Sequence, residues 1–328
     1  RDPANFRIGT LVDFPAGRAY PAAMTDAMDI FDRRLVRRHR ERAALRWPEH
    51  DFLFREAADR LADRLDDIRR KFPLALDLGC HGGELASVLG PRGGIEQLVQ
   101  CDLSPAMARR AAGNGRQTLA ADEEALPFAA DTFDLILSNL SLHWVNDLPG
   151  CLRQARECLR PDGLFLACLL GGDTLSELRQ VLTEAELAET GGAGPRISPF
   201  TDLRDAGGLL QRAGFALPVV DTDRISVGYG NIGKLLDDLR GMGEGNAVKA
   251  RAGRALRPSV LARSEEIYRR RFGGDGGKLP ATFQIIYLTA WAPHGSQQKA
   301  LRPGSAAARL AEALSATEIS AGEKAGPG

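Results

Sequence analysis

The stretch Ala75-Leu76-Asp77-Leu78-Gly79-Cys80-His81-Gly82-Gly83 decides the fold. An apolar run, Leu74–Leu78, enters a glycine-rich turn, and Glu84–Leu89 behind it reads as a helix. Glycines let a backbone approach a ligand closely, and a helix start offers unpaired N–H donors. A second apolar run, Gln97–Asp102, ends in an acid. An acid at that strand end can accept both hydroxyls of a ribose. Together these features describe a site for an adenosine cofactor.

The spacing selects among cofactors. A dinucleotide fingerprint places glycines at relative positions 0, 2 and 5. From Gly79 those positions hold Gly79, His81 and Glu84, so two of three fail. The Gly-Lys-Ser/Thr ending of a phosphate loop is absent. An acid-x-G-x-G-x-G turn, used for S-adenosylmethionine (SAM), gives Asp77, Gly79, His81 and Gly83, with His81 as the departure. SAM carries no pyrophosphate, and an acid at Asp77 suits a cationic ligand. His81 either narrows the pocket, weakens SAM binding or points outward. Further along, Asp102 is placed for the ribose and Asp122, after the third strand, for the adenine amine. Leu103 and Glu123 flank the expected ring slot. Cys80 and Ser138 complete the expected cofactor contacts.

Strand and helix patterns alternate onward from Leu74. Strands are predicted at 97–102, 117–121, 133–138, 164–170, 219–227 and 282–292, with helices between them. This order predicts a Rossmann-like, doubly wound α/β sheet of seven strands. A helix is expected from about Asp51 to Phe72, ended by Pro73. A basic helix is expected within 25–46, capped by Thr25 or Asp26. Its arginine run 33–46 has three readings: a solvated face, a lid over the cofactor, or a docking surface for an acidic partner or membrane. Residues 231–272 read as a helical insertion before the last strand and as a cap over the cofactor. The expected organisation is an N-terminal segment over 1–50, a SAM-binding domain over 51–293, and a mobile tail over 294–328.

Composition sets the outer bounds. The 328 residues are 44% apolar, with a formal net charge of zero, which argues against general nucleic-acid binding. The five cysteines show no C-x-x-C spacing and read as buried free thiols of a reducing compartment. No membrane span or secretory signal is visible, so a soluble intracellular protein is expected, with at most peripheral membrane association. The start at Arg1 is consistent with a leader that was removed or left out.

The segment Ser138-Asn139-Leu140-Ser141-Leu142-His143-Trp144 follows the fourth strand, where such folds orient substrate. It lacks the Asn/Asp-Pro-Pro-Tyr/Phe motif of amino-methyltransferases. His143 is the candidate general base or carboxylate holder. Asn139 is a second candidate catalytic residue, and Asp173 a candidate guanidinium contact. Packing of the loop, with Trp144 in the core, is the competing role for this segment. A cap or turn is the competing role for Asp173. The sole H-x-E pair, His39 and Glu41, falls in a helix where residues two apart diverge, so no metal site is expected.

With these residues in hand, the chain resembles the class I SAM-methyltransferase fold. More narrowly, it resembles the family of NADH dehydrogenase (complex I) assembly factor 5, the methyltransferase-like arginine hydroxylases. The likeness runs through Ile30-Phe31-Asp32-Arg33, Asp77-Leu78-Gly79-Cys80, Ala121-Asp122-Glu123-Glu124 and Leu140–Pro149. It continues through Gly171–Leu175, Ile197-Ser198-Pro199-Phe200, Asp221-Thr222-Asp223, Gly241-Met242-Gly243-Glu244 and Pro280-Ala281-Thr282. The malonyl-acyl-carrier-protein methyltransferases share the early motifs. The resemblance implies a SAM-binding protein that hydroxylates an arginine of the iron-sulfur subunit of complex I, in a bacterial cytoplasm or a mitochondrial matrix. A conventional methyltransferase and a non-catalytic assembly chaperone are the alternatives.

Overall fold

A computed structural model describes residues 29–200, 203–251, 253, 255–298 and 315–317. The chain divides into two units, Arg1–Pro293 and His294–Gly328, and every element below lies in the first. Seven strands are present: β1 Leu74–Leu78, β2 Gln97–Asp102, β3 Gln117–Ala120, β4 Phe133–Asn139, β5 Leu159–Leu170, β6 Ala216–Tyr229 and β7 Leu279–Trp291. They form one sheet in the order β3-β2-β1-β4-β5-β7-β6. β1 to β5 run parallel, and β7 is antiparallel to both of its neighbours. This is the expected Rossmann-like, class I methyltransferase architecture. The order reverses at β1/β4, and ligand crevices in such sheets open beyond the strand ends there.

The helices are α1 Arg33–Ala43, α2 Phe52–Asp63, α3 Glu84–Val88, α4 Pro105–Ala111, α5 Leu148–Cys158, α6 Ser176–Thr190, α7 Leu203–Arg212, α8 Ile232–Gly241 and α9 Pro258–Phe272. Side-chain alternation along β1 explains the two layers. Leu74, Leu76 and Leu78 pack with Cys151, Leu152 and Ala155 of α5 and Ala206 and Leu210 of α7. Ala75 faces the other core, with Phe54 and Leu61 of α2, Leu178 of α6, and Ile267 and Tyr268 of α9. β1 is buried along its whole length, as a strand covered on both faces should be.

Strands β3, β4, β6 and β7 differ from the expected limits by one to three residues at an end, and three other boundaries differ for a visible reason. The helix expected to reach Phe72 ends at Asp63. Arg92 pairs with Asp63 and Asp66, and Phe72 N–H donates to the Gly93 carbonyl at 2.7 Å, so the chain turns early to start β1. β5 begins at Leu159, not Leu164, because Pro161-Asp162-Gly163 forms an irregularity within the strand: Asp162 has φ +63° and the register against β4 shifts there. The basic helix starts at Arg33, where the Asp32 side chain caps it by accepting from Leu35 N–H at 3.0 Å. The expected caps Thr25 and Asp26 lie outside the described residues. Ser104 caps α4, its hydroxyl accepting from Met107 N–H at 3.3 Å. All five cysteines are buried and free.

The insertion contributes α8 and α9. The segment after α8 brings Glu244, Ala247 and Val248 against α1 and the loop after β4.

Candidate functional site

The turn after β1 is built by close approach. Gly79 (φ +74°) and Cys80 donate their N–H groups to the Cys101 carbonyl of β2 at 2.8 and 2.9 Å. A Cβ at Gly79 would lie 2.1 Å from the Ser141 hydroxyl, so only glycine fits. Gly83 (φ +92°) opens α3. Cys80 is buried, and desolvation raises its thiol pKa far above the ordinary value.

His81 points inward. It is 1% exposed and stacks on Trp47, with ring centroids 5.6 Å apart. Its Nε2 lies 3.1 and 3.2 Å from the carbonyls of Asn139 and Leu140, so Nε2 bears the proton. Burial pushes its pKa down to about 3, and the ring is neutral. Its Nδ1 has no partner among the described residues.

Asp77 is also buried, with Oδ1 unpartnered and Oδ2 3.4 Å from Gln100 Nε2. Desolvation raises its pKa to about 8. Burial thus favours its protonated form, where the sequence suggests a carboxylate facing a cationic ligand.

The strand-end acids are engaged by the chain's own arginines. Asp102 is fully buried; it accepts from Ser104 N–H at 2.7 Å, His81 N–H at 3.1 Å and Arg40 Nη1 at 3.3 Å. Burial raises its pKa, and the Arg40 charge offsets part of that. Glu123 accepts from Arg40 Nη1 at 2.9 Å, from Ser141 Oγ at 2.7 Å, and from Arg33. Burial alone would raise Glu123, but the two guanidinium charges outweigh it and hold the carboxyl well below its usual range. Arg33 also pairs with Asp122, and Arg40 donates to Ser141 Oγ at 2.7 Å.

The predicted ring slot beside Glu123 is therefore filled by guanidinium groups, and Leu103 packs instead toward Phe31, Val36 and Trp144. SAM would need Asp102 and Asp122 as acceptors for its hydroxyls and amine. Arg40 engages Asp102 and Arg33 engages Asp122 Oδ1, so a ligand using these acceptors would have to displace the chain's own guanidinium groups.

Beyond β4 the candidates separate. Ser138 donates to the Leu78 carbonyl at 2.7 Å and ties β4 to β1. Asn139 donates to the Phe54 carbonyl at 2.9 Å and accepts from Cys168 Sγ at 3.1 Å. Its amide is used up in the core, so its role as a catalytic group gives way to a structural one. His143 is 4% exposed, with Nε2 3.0 Å from Glu244 Oε2. Glu244 also accepts from Trp144 Nε1 at 3.1 Å. Burial would raise Glu244, but His143 and Trp144 outweigh it and lower its pKa. Trp144 is in the core.

Glu244 and Phe200, which packs edge-on against His143, line a cavity of about 260 Å³ with Ser198, Leu239 and Arg240. Asp173 stands apart from this group. It is exposed and pairs with Arg224, and its backbone N–H donates to Gln284 of β7. His39 lies 3.1 Å from the Gly245 carbonyl and Glu41 pairs with Arg37, so the H-x-E pair does not converge.

The sequence reading missed Arg33, Arg40, Ser141 and Glu244 as site residues. The signal for the arginines was present: Arg33, Val36, Arg40 and Ala43 recur at one-face spacing, with two apolar members. Nothing in Gly241-Met242-Gly243-Glu244 signals that Glu244 reaches His143 and Trp144, about a hundred residues earlier in the chain.

A family model described as a methyltransferase domain matches residues 76–167. The arginine hydroxylase NDUFAF5, mitochondrial, of Danio rerio is 43% identical over 289 residues, which is 87% of this chain and 89% of that protein. A malonyl-[acyl-carrier protein] O-methyltransferase of Halorhodospira halophila is 35% identical over 280 residues, which is 84% of this chain and 92% of that protein. A solved protein from Bacillus halodurans superposes with a TM-score of 0.50, covering 71% of this chain and 99% of its own at 16% identity, which bears on the fold alone. With the strand order and these relatives together, the chain belongs to the class I methyltransferase-fold enzymes, in the family of the NDUFAF5 arginine hydroxylases.

Proposed function

We propose that this protein is a protein-arginine hydroxylase of methyltransferase fold that works in the assembly of NADH dehydrogenase. Its substrate is an arginine of the iron-sulfur subunit, and SAM is the ligand of the strand-end carboxylates. The observation that carries this reading is the 43% identity to an NDUFAF5 arginine hydroxylase across nearly nine-tenths of both chains. No helix among the described residues is long and apolar enough to cross a membrane.

Mass spectrometry of complex I subunits from a deletion strain tests the reading. A single oxygen on one arginine, lost in the deletion and restored by the gene, is the expected result. Normal complex I with its arginine still modified would refute it. The Halorhodospira relative favours a second reading, methyl transfer from SAM to a malonyl-acyl carrier protein. Transfer of a labelled methyl group to that purified substrate would put the second reading in place of the first.

A further inference from the structure

Helix α1 is matched to the acid pocket more closely than a solvated basic helix needs to be. Arg34, Arg37, Arg38 and Arg42 face water, while Arg33 and Arg40 turn inward on the face that carries Val36. Arg40 is 2% exposed and reaches Asp102, Glu123 and Ser141 at once.

Separate contacts hold the helix down. Phe31 packs edge-on against Trp144 at 5.2 Å, Asp32 N–H donates to the Ala247 carbonyl at 2.8 Å, and Phe31 N–H donates to Asn146 Oδ1 at 2.8 Å. At the other end, Trp47 is anchored by Nε1–H donating to Glu84 at 2.7 Å. Between Trp47 and the helix runs the short link Ala44-Leu45-Arg46, in which Leu45 is 86% exposed. The hydrogen-bonded turn 44–46 thus joins the anchored Trp47 to an arm whose Arg33 and Arg40 fill the charged pocket.

We propose that α1 is a built-in competitor of the cofactor. Arg40 on Asp102 and Arg33 on Asp122 occupy the carboxylates that a cationic adenosine ligand requires, so a docked α1 and a bound cofactor exclude one another. This rests on the cofactor reading of the pocket given above. Arg40 serves as the internal stand-in that keeps two buried carboxylates paired, because an unpaired buried charge is costly. The cofactor binds the fraction of molecules in which α1 has withdrawn, and its apparent affinity is reduced by that fraction. A partner that captures the exposed arginines of α1 would open the site.

The full chain is titrated with SAM by calorimetry while amide exchange of residues 33–43 is followed. An undocked helix of 11 residues is marginal in water, so its amides should exchange faster once SAM is bound. Val36→Asn loosens α1 without touching a carboxylate and should tighten SAM about tenfold. Arg40→Gln, with its fold checked by circular dichroism, should tighten it in the same direction. SAM binding with unchanged or greater protection of α1, or equal affinity in all three proteins, would overturn the proposal and leave the cofactor reading intact. No SAM binding by any of them would overturn both.

Discussion

Two buried groups of ionisable side chains stand at the strand ends, and they are completed differently. At the ends of β2 and β3, Asp102 and Glu123 are matched by Arg33 and Arg40 from a helix remote in sequence. Beyond β4, His143 and Glu244 are matched to each other, and Glu244 faces a cavity. The first group leaves its carboxylates paired but filled. The second leaves His143 Nδ1 and Ser198 Oγ without partners among the described residues. A buried carboxylate needs a cation wherever it comes from; Arg33 and Arg40 fill the first group, whereas His143 and Glu244 satisfy each other beside open space. The cofactor end is thus closed by the chain itself, and the end nearest His143 retains space.

The largest way to break this contrast is Arg40→Ala. It strips the buried Asp102 and Glu123 of a shared cation, and a loss of about 3–5 kcal/mol in urea unfolding is expected. A loss under about 1 kcal/mol would mean that water already reaches those acids. Glu244→Ala should cost less, about 1–3 kcal/mol, since it orphans the buried donors of His143 and Trp144. An effect equal to that of Arg40→Ala would erase the difference between the two groups.

Asp77 sharpens the contrast in the opposite direction. Its folded pKa of about 8 lies above the unfolded value of about 4, so the stability it contributes is present at low pH and lost as pH climbs between them. Asp77→Asn has no such proton to lose. It should be more stable than the parent at pH 8 by at least about 1 kcal/mol, with the gap closing toward pH 4. Parallel pH–stability curves for the two proteins would contradict this. The smallest effect is expected at Asp173. Its pair with Arg224 is solvent-exposed, so Asp173→Ala should change neither unfolding nor SAM affinity measurably.

The contrast also shows how far a linear reading reaches. The β1 turn and the acid ending β2 lie within a few residues of the features that define them, and local geometry sufficed to place them. His143 was found because it follows β4 directly. Asn139 was misjudged because its partners, the Phe54 carbonyl and the Cys168 thiol, come from α2 and β5. The ionisation of Asp77 was not legible in its residue type, because full burial shifts it.

From sequence alone came the doubly wound sheet, the strand ends that hold the acids and the likeness to arginine hydroxylases. Periodicity and turn chemistry are local, and they survive translation into structure. Only the tertiary structure decided what those acids hold. Arg40 lies 62 residues from Asp102 and 83 from Glu123 along the chain, and nothing in the spacing reports that distance being closed. Desolvation closes it, since an acid removed from water takes the nearest cation the fold can deliver.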